Sequence, residues 1–132
     1  MTARATIEAY YDAFNRGDGE AMLALLAEDV EHGVDQGETR RGRDAFRAFN
    51  AHMARCYRER LDDLVVVSGD GRRAAAEFTV HGEYRATGEG LPEARGQTYT
   101  HPAGSFFALE GERITRVTTY YNLRDWLRRV GG

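Results

Sequence analysis

Apolar residues recur at helical spacing through the first half of the chain and at every second position through much of the rest. Ile7, Tyr10, Tyr11 and Phe14 fall at i, i+3, i+4 and i+7, which is one face of an amphipathic helix. Asn15-Arg16-Gly17-Asp18 ends it, because glycine accepts a left-handed cap and Asp18 can cap the next helix. That second helix is short, carries Met22, Leu25 and Leu26, and stops near Asp29. Val30 to Arg41, with glycines at 33 and 37, reads as two short strands. Asp44 can cap a third helix from about Ala45 to Arg60, with Phe46, Phe49, Met53 and Cys56 on its stripe.

The period then changes. Leu61–Ser68 reads as a strand ending in Gly69-Asp70-Gly71, a hairpin signal. Ala74–Arg85 reads as a long strand with Phe78, Val80, Gly82 and Tyr84 on one face and Glu77, Thr79, His81, Glu83 and Arg85 on the other. Ala86–Gly96 is a loop. Two more strands, Gln97–Leu109 and Arg113–Asn122, turn at Glu110-Gly111-Glu112, and a closing helix spans Leu123–Val130. Helices segregated to one face of a four-strand antiparallel meander define an α+β architecture. No internal boundary interrupts it, so a single domain is expected over residues 1–132.

Composition narrows the partners. A net charge of −3 lacks the basic face that nucleic acid requires. The arginines of Arg55–Arg60 alternate with other residues, an acid among them, and read as a solvated surface. All 18 basic residues are arginine, a codon skew of GC-rich bacterial genomes. The single cysteine, Cys56, forbids an internal disulfide and fits a reducing compartment. The first eleven residues lack an apolar leader, and no stretch approaches the ~20 apolar residues of a membrane span. A cytoplasmic protein with neither membrane nor nucleic-acid partner is the expectation. Cys56 lies on a helix stripe and reads as a small core residue rather than a nucleophile. The four histidines show no metal-ligand spacing, and Gly82, Gly88 and Gly90 form no phosphate-cradling loop. No metal or other cofactor is expected.

The layout resembles the nuclear transport factor 2-like superfamily, in its ketosteroid isomerase and SnoaL-like polyketide cyclase branch. The resemblance is carried by Ile7 to Asp18, by Leu25-Leu26-Ala27-Glu28-Asp29-Val30, by Gly42 ahead of a helix, and by Gly111-Glu112-Arg113-Ile114 leading into the last strand. It implies a cone-shaped curved sheet wrapped by three helices, dimeric through the sheet's outer face. The pocket would open between the first helix, the third helix and the concave sheet. It would thus be lined by Phe14, Phe49, Met53, Phe78, Val80 and Phe106 and receive a small hydrophobic molecule.

The resemblance also implies roles. Tyr10 matches the family's oxyanion-binding tyrosine. The family's general base falls near Gly33 or Val34, where Asp35 is the nearest carboxylate. His32 offers an alternative base with a suitable ordinary pKa. The family's protonated acid would fall at Gly104, so it is absent; His101 and Ser105 are the candidate donors in its place, with facing blurred by Pro102. Cyclases of this branch use an acid at the end of the last strand, where this chain has Asn122, a candidate ligand contact or helix cap. Tyr120 and Tyr121 point to opposite faces; Tyr120 is taken as the pocket residue. Two functions stay open. One is an isomerase- or cyclase-like enzyme moving protons on a hydrophobic carbonyl compound, with Tyr10, His32 and Asp35 as its catalytic groups. The other is a non-catalytic binding protein of the same fold. A third, a scaffold domain, carries less weight.

Overall fold

The computed structural model describes residues 1–34 and 37–131. Helix α1 (Ala3–Arg16) starts where the Thr2 side chain accepts from the Ala5 amide and ends at Gly17, whose φ of 72° is the left-handed cap. Asp18 caps α2 (Gly19–Ala24). The chain then runs into β1 (Leu26–Val34), β2 (Arg40–Arg41) and α3 (Arg43–Cys56). The strands β3 (Tyr57–Val67), β4 (Arg73–Tyr84), β5 (Gln97–Glu110) and β6 (Arg113–Tyr121) follow, and α4 (Leu123–Gly131) closes the chain.

The six strands form one sheet in the order β2-β1-β6-β5-β4-β3. The meander β3 to β6 is antiparallel, as the alternation predicts. Strand β1 adds to it parallel to β6, with His32 opposite Val117 and Val34 opposite Thr119, so the sheet is mixed. Two expected boundaries move. The second helix stops at Ala24, and Leu26 belongs to β1. The third helix stops at Cys56 instead of about Arg60, and Tyr57 is already extended, with φ −135° and ψ 149°. From there Tyr57, Glu59 and Leu61 turn toward the helices, while Arg58 and Arg60 face solvent.

The core lies between the sheet's inner face and the helices. Ile7, Tyr10 and Tyr11 from α1 meet Phe46 from α3 and Phe78 and Phe107 from β4 and β5. Asn15 locks helix to sheet by clasping the Leu61 backbone: its Nδ2 donates to the Leu61 carbonyl (3.0 Å) and its Oδ1 accepts from the Leu61 amide (2.9 Å). This staple sits just before the bulge between Asp62 and Val65, where Asp63 takes φ 56° and β3 bends. Trp126 and Val130 of α4 are buried at the other end, with Trp126 edge-on to Tyr57, Tyr84 and Tyr99. Among the described residues no helix is long and apolar enough to cross a membrane.

Candidate functional site

Between helices and sheet lies a cavity of about 330 Å³. Its floor is the inner face of β3 to β6, its walls are α1, α3 and β1, and one end is closed by Trp126 and by Leu91 of the 85–96 loop. That loop is tied down by the Tyr84 hydroxyl, which donates to the Pro92 carbonyl (2.6 Å) and accepts from the Gly88 amide (3.1 Å). The lining is mostly apolar and aromatic with a few polar groups, as small-molecule sites generally are.

Eight of the sequence-predicted residues line this space: Tyr10, Phe14, His32, Phe49, Met53, Phe78, Val80 and His101. Asp35 lies outside the described residues. Three others are elsewhere. Phe106 and Tyr120 point to the sheet's outer face, where they are exposed and pack edge-on to each other at 5.7 Å. The reason is parity: Phe107 and Tyr121 face inward, so their neighbours face out. Tyr121, not Tyr120, is therefore the cavity residue. Asn122 is the cap of α4, its Oδ1 accepting from the Asp125 amide (3.0 Å), and does not line the cavity.

His32 is the most perturbed basic group of the wall. It is 4% exposed and wedged between Phe46 and Phe49, with ring centroids 4.5 and 4.6 Å away. Its Nδ1 is buried without a hydrogen-bond partner among the described residues. Burial, and then the Arg40 guanidinium, lower its pKa to about 4. The ring is therefore neutral at physiological pH. Arg40 itself is exposed and rests over the Phe49 ring at 5.0 Å.

Tyr10 and Tyr11 stand edge-on at 5.0 Å under the cavity. Burial pushes both hydroxyls well above the usual phenol range, so both stay protonated as donors. Tyr11 is hydrogen-bonded to Ser105, whose Oγ is in turn 2.8 Å from Thr119 Oγ1. Pro102 causes no bulge: the β4 ladder runs through it in register, opposite Thr79, and the β6 ladder begins only at Ala103. The alternation of β5 is thus unbroken. His101 faces inward, stacked on Tyr99 at 5.7 Å, and Ser105 faces inward two residues past the proline-adjacent Ala103.

The residue the sequence reading passed over is Glu59. Its Oε2 accepts from the Tyr99 hydroxyl at 2.5 Å, and its carboxyl forms part of the cavity wall. Burial raises its pKa, opposed by the Tyr99 hydrogen bond and then by His101. A helix running to Arg60 would leave Glu59 among surface charges; α3 ends at Cys56 instead. The strand signal is faint: Arg58 and Arg60 alternate with Tyr57 and Leu61, but the charged Glu59 interrupts the apolar row. Cys56 is buried at the end of α3, beside His52, and has no part in the cavity. No cluster of three or more metal-ligating side chains exists among the described residues.

A curved mixed sheet, helices packed on one face and an aromatic-lined cavity between them define a nuclear transport factor 2-like protein. Within that class, the chain belongs to the SnoaL-like domain family, whose model matches residues 7–117. A "putative polyketide cyclase" of Pseudomonas putida is 59% identical, with a TM-score of 0.96 over 98% of each chain. A protein of the same description from a Silicibacter species is 56% identical, with a TM-score of 0.97 over 99% of this chain and 96% of its own. An NTF2-like protein of unknown function from Burkholderia pseudomallei shares the fold at 22% identity, with a TM-score of 0.80 over the full length of both chains. No curated protein matches the chain in sequence.

Proposed function

We propose that the protein is a cytoplasmic, cofactor-independent enzyme of the cyclase or isomerase kind, moving a proton on a small hydrophobic carbonyl compound held in the cavity. The family and the relatives described as polyketide cyclases support this reaction class. The observation that carries it is His32: a neutral imidazole set in the wall of the aromatic-lined cavity, beside Tyr10.

In this reading the C–H bond next to the carbonyl breaks and its proton passes to the neutral imidazole. The electron pair moves into the C–C bond and onto the carbonyl oxygen, which takes a hydrogen bond from the Tyr10 hydroxyl. The enolate then recovers the proton at another carbon, an isomerisation, or its carbon attacks a second carbonyl, a cyclisation, in which the C–C bond forms and the new alkoxide takes the proton back from the imidazolium. A histidine whose charge is disfavoured gains a proton only while the enolate's negative charge stands beside it, so the ion pair is confined to the transient state. The sheet's outer face, with Val65, Val67, Phe106 and Tyr120 exposed together, is the proposed homodimer surface.

The test uses 2-tetralone in D2O, following loss of its α-proton NMR signals. Wild type should exchange them at least tenfold faster than an equal concentration of heat-unfolded protein, and His32→Gln and Tyr10→Phe should each lose most of that acceleration. Wild-type exchange no faster than the unfolded control would refute the proposal.

A further inference from the structure

The cavity has two polar poles. One is His32 with Tyr10, used above. The other is Glu59, on the opposite edge of the sheet. Strand β3 is the sheet's edge and β1 lies four places along from it, so the cavity is spanned from His32 to Glu59 by the whole width of the curved meander.

The second pole is built with some care. Glu59, Gly82 and Tyr99 sit in one cross-strand row on β3, β4 and β5. With strands about 4.8 Å apart, the outer two backbones are about 10 Å apart. A tyrosine normally stands up from its sheet. Tyr99 instead lies across the middle strand and delivers its hydroxyl to Glu59 Oε2 at 2.5 Å. It can do so only because the middle residue has no side chain: a Cβ on Gly82 would overlap the Tyr99 ring. Trp126 packs edge-on to the Tyr99 ring at 5.8 Å, and His101 stacks on it at 5.7 Å. An acid that merely solubilised the edge strand would face outward with Arg58 and Arg60. This one faces a cavity, is held by a phenol, and is walled by aromatic rings.

We propose that Glu59 is a ligand-binding subsite that accepts a hydrogen bond from a hydroxyl or enol group, so the ligand is a ring compound bearing oxygen at both ends: a carbonyl toward His32 and Tyr10, a hydroxyl toward Glu59. Tyr99 is a positioning residue that holds the carboxylate in place. The inference rests on the cavity being a small-molecule site, as proposed above, but not on catalysis.

Trp126 is the only tryptophan and is part of the cavity lining, so its fluorescence reports occupancy directly. The probes are 2-tetralone, with a carbonyl alone, and 6-hydroxy-2-tetralone, which adds a hydroxyl at the far end. Wild type should bind the hydroxylated probe about tenfold tighter, the upper end of what one net hydrogen bond yields. Glu59→Leu, checked for an unchanged or higher melting temperature, should abolish the preference and leave 2-tetralone binding intact. Tyr99→Phe should keep the preference but move its pH midpoint upward, because the phenol favours the carboxylate; a packing role alone would not move it. The other groups facing Glu59 are Tyr57 on its own strand, which burial keeps protonated, and His101 on β5.

Equal wild-type affinity for the two probes, no binding of either, or a preference that survives in Glu59→Leu would overturn the proposal. Slow α-proton exchange with the preference intact would sink only the enzymatic reading. Fast exchange without the preference would sink only this one.

Discussion

At neutral pH the folded chain keeps His32 uncharged, so acid should remove stability that a variant without the imidazole retains. The folded pKa is about 4, against about 6.5 for histidine in an unfolded chain. Because the folded value is the lower one, the unfolded chain binds the proton first. The His32 contribution is whole above pH 6.5 and is lost as pH falls toward 4. Linkage over that window amounts to about 2 kcal/mol by pH 5 and about 3 kcal/mol by pH 4. The ring is 4% exposed, so solvent screening takes little from this figure. The perturbation is His32→Leu, which fills a similar volume between Phe46 and Phe49 with nothing to protonate. Urea unfolding of both proteins would be followed by Trp126 fluorescence at pH 7.5, 6, 5 and 4. Contributions common to both proteins cancel in the difference. The stability of wild type relative to the variant should fall by the amounts above. A difference flat to within about 0.5 kcal/mol would show that the imidazole charges in place, and the account of a neutral wall histidine would be wrong.

Other substitutions test other parts of the structure. Asn15→Ala leaves the Leu61 amide and carbonyl without partners, so it should cost about 2–4 kcal/mol in urea unfolding and weaken 2-tetralone binding as the β3 wall loosens. Asn122→Ala should cost only about 1 kcal/mol, the worth of a helix cap, with proton exchange on 2-tetralone unchanged; a large loss of exchange would restore Asn122 as a ligand residue. Gly82→Ala should displace Tyr99, lower the melting temperature and reduce the preference for 6-hydroxy-2-tetralone, whereas Gly96→Ala, in the loop just before β5, should not affect that preference. Phe106→Asp should shift the protein toward monomer in sedimentation while leaving both tetralones bound as before, because the side chain points away from the cavity.

Most of the element types and the family were legible in the sequence because they rest on local physics. Helix α1 shows its period, its glycine stop and its buried stripe in residues close along the chain. The meander shows its alternation strand by strand. What failed was local ambiguity. Tyr57 to Arg60 can extend the α3 stripe or begin β3, and only the pairing of Tyr57 with Tyr84 and of Leu61 with Val80 decides for the strand. That one boundary concealed Glu59. Parity at Tyr120 and Tyr121, and the direction of Phe106, likewise depend on register with neighbouring strands, which no single strand contains.

By itself the sequence determined the helices' apolar faces, the alternating strands, the hairpin at Gly69-Asp70-Gly71 and the aromatic residues available for a cavity. Each of these is a property of residues close along the chain. The tertiary structure alone decided that β1 lies parallel to β6, that His32 is stripped of water between Phe46 and Phe49, and that Tyr99 crosses Gly82 to reach Glu59. Those outcomes depend on residues tens of positions apart meeting in one enclosed space. A pKa or a hydrogen bond there is set by what surrounds the group rather than by what precedes and follows it.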